Sequence, residues 1–144
     1  MPVPIQKCRE LELQLLYSYD LIDPEEEDMI ALMMRELSLT KKTVKEALEK
    51  IHKILEKKAE IDTMIAKTST SYALERIQKV ELNILRLGIY EIIYSAITPP
   101  KVIIAEAIRL SRKFGTPESG SFVNAILDSI YKLQPGALIE NLHD

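Results

Sequence analysis

Apolar residues recur at helical spacing along most of the chain, and this periodicity restricts the fold more than any other feature of the sequence. The clearest example is Val44, Leu48, Ile51 and Leu55, which lie four, three and four residues apart and form one face of a helix. No strand-length run alternates cleanly between apolar and polar residues, and the sequence has no Asn-Gly or Asp-Gly turn. The sequence therefore predicts an all-α protein.

Helix start and stop signals divide this pattern into segments. Asp or Thr directly before proline is typical of a helix start, because the polar side chain can cap the helix and proline suits its first turn. Such pairs occur at Asp23-Pro24, Thr98-Pro99 and Thr116-Pro117. Helices are predicted over residues 5–20, 71–95 and 102–114. Further helices are predicted to begin at residue 24, within residues 40–43 and at residue 117. The third helix continues weakly to residue 65, and segment 71–95 is the most apolar, so we expect it to be central.

The length and the charge of the chain limit its organisation. A chain of 144 residues can bury enough surface to fold without a disulfide or a structural metal. No linker or repeat interrupts the helical pattern, so we expect one domain over residues 1–136 and a mobile tail over 137–144. The formal net charge is −3, so a nucleic-acid partner would need a local basic surface.

The sequence carries no pattern that is typical of catalysis, metal binding or cofactor binding. His52 and His143 lack partners at metal-ligand spacing, and Cys8 has no evident histidine base beside it. No phosphate-binding glycine loop and no Gly-x-Ser-x-Gly element is present. We therefore expect a protein without enzymatic activity, metal or cofactor.

The longest largely apolar stretch does not predict a membrane span. It covers residues 84–97, which is too short to cross a bilayer, and it includes Arg86 and Glu91. The sequence accordingly predicts a cytoplasmic protein without a membrane partner. A charge inside such a helix is either a paired structural group or a partner contact, and a structural salt bridge or an extended side chain is the favoured interpretation here.

One segment combines cations with an aromatic residue. Its cations are Lys101, Arg109, Arg112 and Lys113. They stand against Glu106 alone, and the segment ends at Phe114, beside the next helix start. Cations attract phosphates, free backbone N–H groups bind them, and an aromatic ring can stack on an unpaired base. The residues alone favour a simpler alternative, a solvated helix end with Phe114 and Phe122 in the core.

Three blocks of sequence together resemble the NusB family. Residues 9–17 read RELELQLLY, and residues 76–91 read RIQKVELNILRLGIYE. The third block is PKVIIAEA at 100–107, followed by KFG at 113–115, Ser119 and FVNAILD at 122–128. The blocks occur in order and cover nearly the whole chain, and the third is the most specific.

The resemblance implies a fold and a function. The fold is all-α, one domain of two packed helical sub-bundles. The function is transcription antitermination: binding of boxA-type single-stranded RNA together with NusE, a small-subunit ribosomal protein, within the RNA polymerase antitermination complex, notably on ribosomal RNA operons. Members of the family catalyse no reaction. The resemblance leaves the oligomeric state undecided, and a homodimer that covers the RNA surface is one alternative.

The resemblance also implies site residues. Those expected to contact RNA are Lys7, Arg9, Tyr17, Tyr72, Arg76, Phe114, Glu118, Ser119, Phe122 and Asn124. Glu81 is a candidate contact for NusE. The chain departs from the family at its start, where an arginine-rich segment is reduced to Gln6-Lys7-Cys8-Arg9, and at Ala105, where Asn is common. Fewer phosphate contacts would weaken RNA binding and its dependence on salt.

Two other classes of function remain open. A protein-interaction scaffold with little RNA binding of its own would suit the reduced basic start. An accessory domain is the second class, since similar domains precede RNA cytosine methyltransferase domains. The 144 residues leave no room for a cofactor-binding sheet, so the sequence does not predict methyl transfer by this chain alone.

Overall fold

The computed structural model describes residues 4–69 and 73–133, and these residues form helices and no strand. The α-helices are α1 (Ile5–Leu21), α2 (Glu26–Leu37), α3 (Lys41–Glu56), α4 (Lys58–Thr68), α5 (Lys79–Tyr90), α6 (Pro100–Phe114) and α7 (Ser119–Leu133). A 3-10 turn (Leu74–Arg76) precedes α5, and a π-helical turn (Glu91–Ser95) follows it. The predicted all-α class is confirmed. None of the described helices is long and apolar enough to cross a membrane.

The chain divides into two compact helical units, and the division falls between Glu56 and Lys57. The first unit contains α1, α2 and α3, which pack against one another. Its fully buried side chains include Leu11, Leu15, Leu16, Leu48 and Ile51. The hydroxyl of Thr40 accepts a hydrogen bond of 3.2 Å from the backbone N–H of Thr43 and caps α3, so the helix start predicted at residues 40–43 is confirmed.

The second unit is built around α5. Every residue from Leu82 to Ile89 is buried, and α4, α6 and α7 all contact this helix. Gly88 allows α7 to approach α5 closely: a Cβ there would lie 3.1 Å from both terminal methyl carbons of Leu127 on α7. The central position that the sequence predicts for this apolar segment is therefore confirmed.

Arg86 is the charged residue at the centre of this unit. Its Nε donates to Asp62 Oδ1 at 2.8 Å, and its Nη2 donates to Asp62 Oδ2 at 2.9 Å. Its Nη1 donates to the Asn83 side-chain oxygen at 3.1 Å. The Arg86 side chain is only 5% exposed. The two parallel bonds to one carboxylate join α5 to α4, so the favoured interpretation of Arg86 as a structural salt bridge is confirmed.

Several predicted helix boundaries are wrong. The third helix stops at Glu56, because Lys57 leaves helical geometry with φ −100° and ψ 4°, and a separate helix follows. The helix expected from residue 71 begins at Lys79, because Gln78 is extended with ψ 143°. The second helix begins at Glu26 without a side-chain cap, so Asp23 does not cap it. The tail predicted for residues 137–144 lies outside the described residues.

Removing the carboxylate of Asp62 tests the role of this ion pair. We expect Asp62→Ala to lower the free energy of unfolding by about 3 kcal/mol, because it leaves a buried guanidinium without its main counter-charge. Urea unfolding followed by circular dichroism measures the change. Asp128→Ala is the control, because Asp128 pairs with Lys132 at 2.9 Å on the exposed surface and its loss should cost no more than about 0.5 kcal/mol. Equal losses in the two variants would contradict the central role of Arg86.

Candidate nucleic-acid interface

The turn between α6 and α7 is fixed by a small network of hydrogen bonds. The backbone N–H of Gly115 donates to the carbonyl of Ser111 at 2.9 Å and closes α6. The backbone N–H of Thr116 donates to the hydroxyl of Ser119 at 3.0 Å, and the two hydroxyl oxygens are 3.1 Å apart. The side chain of Ser119, the first residue of α7, thus reaches back to the backbone N–H three residues before it, as in one half of a capping box.

Glycine is required at position 115 because the turn leaves no space for a side chain there. A Cβ on Gly115 would lie 2.6 Å from the hydroxyl oxygen of Ser119 and 2.8 Å from the carbonyl oxygen of Ser111. Its φ of −101° is open to any residue, so close packing and not a left-handed backbone excludes a side chain here. The turn is consequently tight on both sides, and it holds the last residue of α6 in one place.

The turn holds Phe114 at the surface of the protein. Its side chain is 36% exposed, and the Lys113 ammonium nitrogen lies 5.5 Å from the centre of its ring. Phe122, eight residues later on α7, is half-buried. Neither ring is sealed in the core, so the simpler alternative from the sequence is wrong for Phe114. An exposed ring beside a cation can stack on a base while the cation meets a phosphate.

The structure gathers some of the predicted residues around this turn. Glu118 is exposed and lies within the turn, whereas Asn124 is exposed further along α7. Ser119 is fully buried, and its hydroxyl is occupied by the cap. It is therefore placed to shape the turn, and a direct contact of its side chain with RNA would require the cap to open.

The remaining predicted residues of the second unit lie elsewhere along the chain. Arg76 is exposed at the end of the 3-10 turn. Glu81 is half-buried in the first turn of α5. Tyr72 lies outside the described residues.

Three predicted RNA contacts belong to the first unit, on α1. Lys7 and Tyr17 are half-buried. Arg9 is only 7% exposed, so its guanidinium offers little surface to a phosphate. Lys7 is the more accessible of the two basic residues.

Cys8, between these two cations, is not poised for reaction. Burial and, next, the negative charge of Glu12 raise the pKa of the Cys8 thiol. A raised pKa favours the protonated thiol, whereas nucleophilic cysteines depend on the thiolate. Within residues 4–69 and 73–133, no three His, Cys, Asp or Glu side chains are grouped so as to hold a metal ion.

Sequence reasoning missed the network that shapes the turn and the partner of Arg86. Ser119 sits three residues after Thr116, the spacing of a reciprocal cap, and this was the available signal. Nothing in the sequence pairs Asp62 with Arg86, because the two residues are 24 positions apart and belong to different helices.

The chain is similar to known proteins over most of its length. A model of the NusB family matches residues 6–132. The transcription antitermination protein NusB of Chlamydia pneumoniae is 38% identical over 128 residues, which cover 89% of this chain and 80% of that protein. The same-named protein of Syntrophomonas wolfei is 38% identical over 125 residues, which cover 87% and 93% of the two chains.

Two solved structures are also similar. The structure of T. maritima NusB matches with a TM-score of 0.80 and 31% identity, over 97% of this chain and 99% of that one. A second match is a crystal structure of the antitermination factors NusB and NusE in complex with double-stranded RNA. Its TM-score is 0.75 at 26% identity, over 88% of this chain and 95% of the matched chain.

Substitution of Gly115 tests the packing of the turn. We expect Gly115→Ala to lower the free energy of unfolding by about 2 kcal/mol, because the new methyl group overlaps Ser119 and the backbone of Ser111. Thermal and urea unfolding measure the loss. Gly120→Ala is the matched control: its Cβ would meet Ile108 at 3.6 Å, an ordinary contact, and alanine favours the helix by up to about 1 kcal/mol. Unfolding of Gly115→Ala at the wild-type midpoint would show that the turn is loose.

Proposed function

The chain belongs to the NusB family of transcription antitermination proteins, and on that premise we propose that it binds boxA-type single-stranded RNA together with NusE. In this role the protein joins the RNA polymerase antitermination complex in the cytoplasm, notably during ribosomal RNA transcription. It acts by binding and catalyses no reaction.

The exposed ring of Phe114 is the observation that carries this proposal. An aromatic residue of this kind usually contributes to a core, but here the tight turn at Gly115 holds it at the surface beside Lys113. Stacking on a base gives an exposed ring a function, and it is worth about 1–3 kcal/mol per base. Because the turn is fixed before the RNA arrives, little conformational entropy is lost on binding.

The RNA is proposed to be single-stranded at this surface. A ring can stack on a base only when that base has left its own stack, and sequence-specific RNA recognition mostly targets such unpaired bases. The solved complex of NusB, NusE and RNA contains a double-stranded RNA. A direct comparison of single-stranded and double-stranded forms of one sequence is therefore part of the test.

The predicted site residues divide into three proposed roles. Residues that contact RNA directly are Lys7, Tyr17, Tyr72, Arg76, Phe114, Glu118, Phe122 and Asn124. Arg9 and Ser119 act through the fold, since both are buried. Glu81, half-buried at the start of α5, contacts NusE.

A second candidate function is that of a protein scaffold that binds NusE and has little RNA affinity of its own. The burial of Arg9 favours it, because that burial removes a cation from an already reduced basic segment. The two functions differ in the expected effect of removing the Phe114 side chain. A scaffold retains its binding to NusE and shows no loss of RNA affinity. A homodimer that covers the RNA surface would bind RNA more weakly as protein concentration rises.

Phe114→Ala tests the stacking contact. We expect the affinity for a boxA-type RNA, measured by fluorescence anisotropy with NusE present, to fall about 5- to 150-fold through the loss of one stacked base. Tyr131→Ala is the matched control, since Tyr131 is an aromatic residue on α7 with the same 36% exposure. An unchanged affinity for RNA in Phe114→Ala, with NusE binding intact, would favour the scaffold instead.

NusE and salt provide the second test. We expect the wild-type protein to bind boxA-type RNA weakly alone and more tightly with NusE, and the affinity to fall as salt rises. A scrambled single strand and the duplex of the same boxA sequence should bind less tightly than the single strand. Equal affinity for all three RNAs in the presence of NusE would contradict the proposed specificity.

A further inference from the structure

The outer face of α6 is a strongly basic surface in a protein of net negative charge. Its cations are Lys101, Arg109, Arg112 and Lys113. With Glu106 as the single acid of the helix, the net charge of α6 is +3, whereas the whole chain has −3. We call these four cations and the surface between them the α6 basic face.

The four cations fall within an arc of about 120° around the helix axis, with Lys101 and Arg112 at one edge and Lys113 at the other. Lys101 and Arg112 are eleven residues apart, just over three helical turns, so both project in nearly the same direction. At 1.5 Å per residue they are separated by about 16 Å along the helix axis. Both are exposed, and Ala105, between them, is exposed and adds no bulk to the surface.

The acid on this helix is already neutralised. Glu106 accepts a hydrogen bond from the Arg109 guanidinium at 2.8 Å, one turn away. On the neighbouring helix α7, Asp128 is engaged by Lys132 at 2.9 Å. Lys101 and Arg112 have no ion pair among the described residues, so their charge is offered to solvent.

We propose that the phosphate backbone of the bound transcript follows the α6 basic face, from Lys113 beside Phe114 to Lys101 at the other end of the helix. This inference rests on the proposed function and extends it, because it assigns Lys101 and Arg112 as phosphate contacts and gives the RNA a path beyond the aromatic end. The bases at Phe114 supply the sequence preference, and the basic face supplies affinity that does not depend on sequence.

An RNA backbone fits this face better than an acidic protein surface does, because the basic face is continuous with the aromatic end. Lys113 belongs both to the row of cations and to the contact with the Phe114 ring. An RNA strand whose base stacks on Phe114 therefore has its neighbouring phosphates beside Lys113. The next cations of α6 are then within reach of the phosphates that follow. Arg and Lys in such a row hold a backbone by charge and tolerate any base.

Charge-removing substitutions test the path. In Lys101→Gln/Arg112→Gln the two contacts are lost and the helix propensity is kept. Each phosphate contact on a single strand contributes about 0.7 to the slope of log affinity against log salt. We therefore expect the slope to fall by about 1.4, and the affinity at 0.1 M salt to fall by about 25-fold.

The matched control is Lys42→Gln/Lys53→Gln. These two lysines are also exposed and eleven residues apart, but they lie on α3 among the acids Glu46, Glu49 and Glu56. The control removes the same charge from the protein and should leave the slope within about 0.3 of wild type, because overall charge acts weakly at this salt. An equal fall in both double variants would show a general charge effect and overturn the path.

RNA length gives the direction of the path. In a series of boxA-type RNAs shortened one nucleotide at a time from each end, the effect of Lys101→Gln should disappear at a longer RNA length than the effect of Arg112→Gln. The order follows from the distance of each residue from Phe114. Effects that vanish together, or a Lys101 effect that persists in the shortest RNA, would contradict a strand that runs along α6.

The outcomes separate this inference from the proposed function. If wild-type protein with NusE binds no RNA with sequence preference, the proposed function fails. If wild-type binds and Phe114→Ala weakens binding, but Lys101→Gln/Arg112→Gln binds like its control, only the path fails. If the double variant loses binding to NusE in the absence of RNA and keeps its RNA affinity relative to the control, the α6 basic face contacts an acidic protein surface and the inference is overturned.

Discussion

The bidentate pair between Arg86 and Asp62 is the constraint on which the second unit depends. A helix that buries every residue from 82 to 89 must be covered on all sides, and a guanidinium within it must be neutralised. Asp62 on α4 meets this requirement, and Asn83 occupies a further N–H of the same group. The Arg86 charge thus fixes the face of α5 against which α4 packs. Apolar packing alone would allow α4 to pack against several faces of α5.

With α5 enclosed, α6 and α7 become the elements that carry the surface chemistry. They pack against each other and against α5, so the turn between them stands on two anchored helix ends. Ser119 lies inside this turn and satisfies its backbone, while Phe114 lies outside and keeps a third of its surface in solvent. The hydroxyl group of Ser119 thus helps to set the shape of the turn, whereas the ring of Phe114 and the neighbouring cations are exposed at the surface.

The fold was largely predictable from the sequence because helical periodicity and caps are local signals. The face formed by Val44, Leu48 and Ile51, the cap at Thr40 and the central position of α5 all follow from residues a few positions apart. The break at Lys57 was not predictable, since charged residues continue through it without a proline or a glycine. The site was predicted less completely: the exposure of Phe114, the burial of Arg9 and the partner of Arg86 all depend on which helices meet, and no local pattern encodes that.

Gly88 has a consequence for how α5 and α7 can move against each other. The two methyl groups of Leu127 occupy the notch that the missing side chain leaves in α5, and one helical turn to either side the corresponding positions are Ile84 and Ile92, which are bulky and buried. A sliding movement of α7 along α5 would drive Leu127 into one of these isoleucines, so shear between the helices is blocked. The helices α5 and α7 therefore keep their register, and α7 can leave α5 only by moving away from it.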